Sequence, residues 1–147
     1  MRRTAALLAL TLAAVGTAAL PSEAAPRKKP KPITKTYTAT APMPDPSNYA
    51  QQGYSVCAQN VPQSYHEHAF KAPAAGSIKI VLKDYQGDWD LLIEGSGGEE
   101  LTAGGASDLG VPEEAYVKLK KGEAITIVAC NWAGGATGTV TYTFTFK

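Results

Sequence analysis

The amino-acid sequence predicts an all-β protein, an antiparallel β-sandwich of about eight strands in one domain. The first observation is the segment TVTYTFTF (139–146), in which threonines alternate with apolar residues without a fault. A period of two is typical of a strand with one buried face and one solvated face. Second, no segment after residue 24 shows the 3.6-residue apolar period of an amphipathic helix. Third, glycine and proline turns fall between the candidate strands.

The other candidate strands are short apolar-polar segments that lie before this one in the chain. In order they are ITKTYTAT (33–40), a short strand around 54–57, SYHEHAFKA (64–72), SIKIVLK (77–83), DWDLLIE (88–94), EAYVKLK (114–120) and AITIVAC (124–130). Most of them alternate, but AITIVAC is apolar on both faces because of Val128 and Cys130. This pattern predicts a strand whose outer face is also covered.

The N-terminus predicts export. Residues 1–24 have the features of a secretory signal peptide, because Arg2 and Arg3 precede a run of small and apolar residues. The run is too short and too rich in alanine for a stable membrane span. We therefore expect a secreted protein with no membrane anchor. The expected organisation is a signal peptide at 1–24, a basic Pro/Lys linker at 25–32 and the β-sandwich at 33–147.

Charge is unevenly distributed along the chain that remains after residue 24. Five of its twelve lysines and arginines lie between Arg27 and Lys35, so the rest carries seven positive residues against twelve acids. A domain with this balance repels phosphates, which excludes nucleic acid as a partner. The basic segment APRKKPKP is either a solvated linker stiffened by proline or a contact to an anionic polymer.

Cys57 and Cys130 are the cysteines of the exported chain, and an even pair outside the cytoplasm predicts a disulfide. A metal site would need further ligands at short spacing, and neither cysteine has a C-x-x-C neighbour. A catalytic thiol with His66 or His68 as its base is a weaker alternative.

The acidic segment DYQGDWDLLIEG (84–95) is a candidate for a metal site or a catalytic carboxylate pair, or it is simply the beginning of a strand. We predict that it begins a strand that forms a hairpin with SIKIVLK, with Leu82 opposite Trp89 and Lys83 opposite Asp88. Asp84 would then open a type I turn ending at Gly87. In this arrangement Trp89 belongs to the core and Asp88 to a surface ion pair, which leaves Asp90 without a structural role.

Three segments together resemble the bacterial pre-peptidase C-terminal domain: FKAPAAGSIKIVLKDYQGDWDLLIEG, EAYVKLKKGEAITIVACNWAGG and YTFTFK. The similarity covers residues 65–147. It implies a jelly-roll-like β-sandwich that usually follows a secreted peptidase and acts as a binding module. The resemblance also suggests calcium as a ligand, because the related collagen-binding domains of collagenases bind calcium. The chain departs from the pattern because no peptidase precedes the domain.

An enzyme is the alternative class. Asp88 and Asp90 lie two apart on one strand, about 7 Å by strand rise, a spacing that a glycosidase carboxylate pair can have. His66 and His68 would share one face of a strand, as two metal ligands do, but no third ligand is identifiable. Hydrolase and phosphate-loop motifs are absent. We therefore predict no catalytic activity and no cofactor, with a small hydrolase as the alternative.

The candidate binding residue is Trp132, in the glycine-rich segment CNWAGGATG. It is either a platform for an extracellular polysaccharide or protein, or a cover over the disulfide and one end of the core. Asp84, Asp88 and Asp90 are at most a weak calcium site, because calcium requires six to eight oxygens and the segment 33–48 adds only Asp45.

Overall fold

A computed structural model describes residues 28–42, 63–104 and 111–147 of the chain. Within these stretches every regular element is a strand. The eight strands are β1 (Ile33–Thr40), β2 (Tyr65–Lys71), β3 (Gly76–Lys83), β4 (Gly87–Gly95), β5 (Glu100–Ala103), β6 (Glu113–Leu119), β7 (Ala124–Gly134) and β8 (Thr137–Phe146). The described residues include no helix that is long and apolar enough to cross a membrane.

The strands form two four-stranded antiparallel sheets. Sheet A has the order β1-β8-β3-β6, and sheet B has the order β2-β7-β4-β5. The apolar face of each sheet packs against the other, which gives one core between them. The predicted all-β antiparallel sandwich is confirmed.

The core consists of the residues that the alternation places inward. Every strand except β5 contributes buried residues, for example Ile78, Ile80 and Leu82 from β3 and Val140, Tyr142 and Phe144 from β8. On β4 the buried set includes Trp89, as predicted, which is 1% exposed. Removing this apolar area from water is the dominant favourable term in folding.

The outer face of sheet A is rich in threonine. In the pairing of β1 with β8, Thr34 lies opposite Thr143 and Thr36 opposite Thr141. The hydroxyl oxygens of these pairs are 3.1 Å and 2.9 Å apart. The perfect alternation of β8 therefore produces a solvated, hydroxyl-lined surface, as a β-branched polar residue on an exposed pleat does.

The predicted hairpin of β3 and β4 is wrong, because the two strands belong to different sheets. The connection passes from sheet A to sheet B at the end of the sandwich, so Leu82 and Trp89 lie in opposite layers and do not pair. Lys83 pairs with Thr139 of β8 and lies 3.5 Å from the carboxylate of Asp84, not beside Asp88. Asp84 has a φ of 57°, a left-handed conformation, at the point where the chain leaves β3. An inward alternation on both strands fits a hairpin and a crossing connection equally well.

Other strand predictions are confirmed for the segments that became β1, β2, β3, β4, β6, β7 and β8. The structure adds β5, which the sequence did not indicate. The predicted strand around 54–57 lies outside the described residues, as does the predicted signal peptide. The proposed domain boundaries stay predictions.

Candidate functional site

The candidate site lies on the outer face of sheet B, where β4 and β7 pair around a bulge. Asp88 pairs with Ala133 and Trp89 pairs with Asn131, so Trp132 is the extra residue of β7. An extra residue of this kind locally bends a strand and redirects a side chain. The alternation of β7 places Trp132 on the outer face with Val128 and Cys130, and its indole lies beside Asp90.

Trp132 is held by a hydrogen bond from its Nε1 to Oδ2 of Asp90. Both side chains are half-buried, and Trp132 is not part of the core cluster. Burial raises the pKa of the Asp90 carboxyl, and the neighbouring charge of Asp88 adds to this effect. The indole hydrogen bond acts in the opposite direction because it stabilises the carboxylate. The bond gives Asp90 the structural role that the sequence left open.

Glycines permit the close approach of the two strands beside the bulge. Gly87 pairs with Gly134, and both have positive φ, 91° and 117°. A Cβ on Gly87 would lie 1.9 Å from the carbonyl oxygen of Ala133. No other residue type fits this position without moving β7.

The inner side of the bulge is tied by buried hydrogen bonds. Nε1 of Trp89 donates to the carbonyl of Gly135 at 3.1 Å. Nδ2 of the buried Asn131 donates to the carbonyl of Ala41 at 2.8 Å, and its backbone N–H donates to Ser64 at 2.8 Å. These bonds connect β7 to segments next to β1 and β2. Trp132 therefore projects from a part of β7 that is held in place by hydrogen bonds on its inner side.

Asn131 is a residue that sequence reasoning missed. The available signal was a single amide within an otherwise apolar strand, at the inward position of β7. A buried amide of this kind needs hydrogen-bond partners, which predicts a strand that is connected to its neighbours by side-chain bonds.

The outer face next to Trp132 is unusual because it is partly apolar and covered. Val128 and Cys130 project outward from β7 but are 1% and 0% exposed. Register places Tyr65 and Asp90 on either side of Cys130. The predicted second apolar face of β7 is thus present. The disulfide stays a prediction, because Cys57 lies outside the described residues.

The surroundings of Trp132 are acidic. Asp88 and Asp90 of β4 lie beside it on the outer face. This charge disfavours an anionic ligand at Trp132 and favours a neutral or cationic one.

The three predicted calcium ligands do not form a cluster. Asp84 is exposed and close to the ammonium of Lys83, Asp88 is exposed, and Asp90 accepts the bond from Trp132. In the described part of the chain, no group of three or more histidine, cysteine, aspartate or glutamate side chains is arranged to hold a metal ion. The absence of a strong calcium site stays a prediction.

His66 and His68 are brought together, but around a tyrosine. Tyr37 of β1 stacks on both imidazoles, with ring centroids 5.6 Å and 4.4 Å apart. Nδ1 of His66 accepts a hydrogen bond from the backbone N–H of Thr40 at 3.3 Å. Burial lowers the pKa of His68, and the nearby charges of Lys35 and His66 lower it further. The pair therefore packs the edge of sheet B against the edge of sheet A.

Comparison with known proteins gives structural likenesses at low identity. No protein-family model matches the chain, and no curated protein matches it. Among solved structures, the pre-peptidase C-terminal domain of collagenase from Bacillus anthracis is similar, with a TM-score of 0.49 and 13% identity over 75% of this chain and 87% of that chain. The Yersinia pseudotuberculosis-derived mitogen is also similar, with a TM-score of 0.40 and 14% identity over 80% and 87%.

The first of these structures belongs to the family that the sequence motifs resemble. Both likenesses are too distant for a ligand or an activity to be transferred from them. Membership in the family of pre-peptidase C-terminal domains stays a prediction.

Proposed function

We propose that the protein is a secreted, non-catalytic β-sandwich module that binds an extracellular polysaccharide or protein through Trp132. The observation that carries the proposal is the position of this indole. It lies outside the core on a bulge, and its N–H is fixed by Asp90. An aromatic side chain that is oriented before binding loses little conformational entropy when a ligand packs against it.

The ligand chemistry follows from the charge around the indole. The carboxylates of Asp88 and Asp90 can accept hydrogen bonds from sugar hydroxyls or from the cationic groups of a protein. Within the proposed class, a neutral polysaccharide or a protein segment with lysine or arginine fits this surface best, and an anionic polymer fits it worst.

A small hydrolase using Asp88 and Asp90 is the alternative. One observation favours it, since a raised pKa is what a general acid requires and that of Asp90 is raised. Against it, the Asp90 carboxylate is bound to an indole on a sheet face. Two concavities of the described surface lie elsewhere, and neither is lined by Asp88 or Asp90.

The test uses the protein expressed without residues 1–24 and a panel of insoluble ligands: cellulose, chitin, peptidoglycan and fibrillar collagen. We expect retention on at least one of them, and Trp132→Ala should lose it while circular dichroism and melting remain close to wild type. Trp132→Phe, which keeps a ring but loses the N–H, should show intermediate retention. Lys83→Gln is the control, because it changes an exposed side chain on the outer face of the other sheet.

Retention of Trp132→Ala at the wild-type level on every retained ligand would contradict the platform. Release of soluble sugar or peptide from the panel, abolished by Asp88→Asn or Asp90→Asn, would replace the binding module with the hydrolase.

A further inference from the structure

We infer that sheet A carries a second binding surface, which takes an anionic polysaccharide. It lies at the end of the sheet where β3 begins and where β6 and β8 end. The inference goes beyond the proposed function because this surface is formed by different strands and has the opposite charge. We call it the basic end of sheet A and define it by Ser77, Tyr116, Lys118, Lys120, Thr145 and the linker lysines 28, 29 and 31.

The strand register aligns polar side chains in rows across this end. Ser77 of β3 pairs with Thr145 of β8 on one side and with Lys118 of β6 on the other. Directly paired residues project from the same face of a sheet. Two hydroxyls and an ammonium group therefore form one row, about 10 Å wide at the usual strand spacing.

The next row contains an oriented aromatic ring. Lys79 pairs with Tyr116, and its Nζ lies 5.3 Å from the centre of the tyrosine ring and 2.8 Å from Oε2 of Glu114. Tyr116 is 61% exposed. A cation against one part of the ring restricts it, while most of its surface remains available to stack on a sugar.

Beside these rows lies a concavity of about 570 Å³. Leu119 and Phe146 give it an apolar floor, while Lys118, Lys120 and the two hydroxyl residues of the first row line its rim. The volume is within the range of about 300–1,000 Å³ typical of small-ligand sites, so one or two sugar units can be accommodated.

Positive side chains outnumber acidic ones at this end, because Lys118, Lys120 and Lys147 line the concavity with one acidic side chain, Glu123. Within the described ranges neither Lys118 nor Lys120 forms an ion pair with an acidic side chain. Glu123, the carboxylate at the same concavity, accepts a bond of 2.7 Å from the backbone N–H of Lys120. Lysines without partners beside an apolar floor favour an anionic ligand.

The basic linker emerges at the same end. Ile33, the first residue of β1, pairs with Phe144 near the end of β8. The exposed Lys28, Lys29 and Lys31 therefore precede β1 on the side of the sheet where the concavity lies. This gives the basic segment a role other than solvation.

The separation of these charges selects a polymer. β1 and β6 are the two edges of sheet A, three strand spacings apart, or about 14 Å. A single small anion cannot contact both the linker and Lys118, whereas a chain of several acidic sugars can. The hydroxyl rows and the exposed tyrosine ring complement the hydroxyls and the ring faces of such a chain.

The test measures binding of polygalacturonic acid by affinity electrophoresis and calorimetry, with its methyl ester as the uncharged polymer of the same backbone. We expect binding to the acid but not to the ester, and weakening as salt is raised. Replacing both lysines of the rim, Lys118→Gln with Lys120→Gln, should weaken binding about tenfold. Tyr116→Ala should weaken it by a smaller factor.

The matched control is Lys83→Gln. Lys83 is exposed on the outer face of the same strand as Ser77, six residues away, or about 20 Å along β3. A loss of affinity in this variant equal to that of the double variant would overturn the site, because only overall charge would then matter. Equal binding of the methyl ester, or equally tight binding of single-stranded DNA, would also overturn it.

Trp132→Ala separates this inference from the proposed function. We expect it to bind polygalacturonic acid as the wild type does. If Trp132→Ala loses this binding, the ligand occupies sheet B and the second surface does not exist. Failure of the lysine variants to weaken binding would leave the platform on sheet B unaffected.

Discussion

Trp89 and Trp132 lie on neighbouring strands of sheet B and on opposite faces of it. Trp89 is 1% exposed, and its N–H donates to the carbonyl of Gly135 inside the molecule. Trp132 is half-buried, and its N–H donates to the carboxylate of Asp90 on the outer face. Both indole N–H groups are satisfied, one by a backbone group and one by a charged side chain.

The comparison teaches that register, and not residue type, decides which tryptophan stabilises the fold. β4 places Trp89 inward because it continues the alternation of Leu91 and Ile93. β7 places Trp132 outward because Trp132 continues the alternation of Val128 and Cys130. The bulge inserts one residue before Ala133, so Trp132 has no direct partner on β4 and its indole reaches Asp90.

The largest expected effect contrasts the two indoles directly. Trp89→Ala should lower the free energy of unfolding by about 3–5 kcal/mol, since it leaves a cavity in a closed core. Trp132→Ala should lower it by about 1 kcal/mol, as is usual for a partly exposed position. Urea unfolding at pH 7 measures both, and Trp89→Phe serves as a control that keeps part of the volume. Equal losses at the two positions would show that the outer face is part of the core.

The next effect concerns Cys130, which lies on the same outer face as Trp132. We expect the protein to show no free thiol under denaturing conditions, because Cys57 and Cys130 are predicted to be bonded. Reduction should lower the melting temperature, since closing a loop of this length is worth roughly 4 kcal/mol in the chain-entropy model. The double variant Cys57→Ala, Cys130→Ala should melt at the same temperature with and without reductant. Two titratable thiols per chain would disprove the disulfide.

Much of the fold was predictable because a strand's faces are a local property. The alternation of β8 shows its buried side within eight residues, and the same holds for β3 and β4. Which strand pairs with which is not local. The inward sets of β3 and β4 fit one sheet or two facing sheets, so the hairpin was predicted where a crossing connection exists. β5, with only four residues, is too short to show a period.

The sequence identified individual residues of the candidate site, but it did not predict the contacts between them. Trp132 and Asp90 were both identified from the sequence, each for a separate reason. Their hydrogen bond depends on the bulge in the pairing of β4 with β7, between residues 42 positions apart. Nothing in the sequence of β4 or of β7 indicates that these two strands pair with each other. The same limit applies to Asn131, whose acceptor on Ala41 lies 90 positions away.

A smaller effect is expected from pH at the edge where β1 meets β2. The pKa of His68 is lowered in the folded protein, chiefly by burial. The unfolded chain binds a proton near the ordinary value of about 6.5. As pH falls below that value the unfolded state takes up more protons, so stability decreases. The positive charge of Lys35 lowers the pKa of His68 further and acts in the same direction.

The measurement is the melting temperature between pH 8 and pH 5.5. The melting temperature of the wild type should decrease over the lower part of this range. His68→Phe keeps the ring that stacks on Tyr37 and Tyr142 but cannot be protonated, so its melting temperature should depend less on pH. An identical decrease in both proteins would assign the acid sensitivity to other groups.

The smallest expected effect is that of calcium on the outer face. Calcium requires six to eight oxygens, usually from several carboxylates. Of the three candidates, Asp84 lies beside the ammonium of Lys83, and Asp90 is bound by the indole of Trp132. The exposed Asp88 is left as a single ligand. We therefore expect the same melting temperature, within about one degree, in chelator and in millimolar calcium.

The calcium experiment also tests whether calcium competes with the indole of Trp132 for the carboxylate of Asp90. A ligand present at a hundredfold excess over its dissociation constant adds about 2.7 kcal/mol of stability, which is several degrees for a domain of this size. An increase of this size in the melting temperature when calcium is added would contradict the prediction, if it were lost in Asp88→Asn or Asp90→Asn but retained in Asp84→Asn. It would mean that calcium displaces the indole from Asp90. The indole of Trp132 would then be bound to the carboxylate of Asp90 only in the absence of calcium. Retention of the protein on the ligand panel should in that case change when calcium is added.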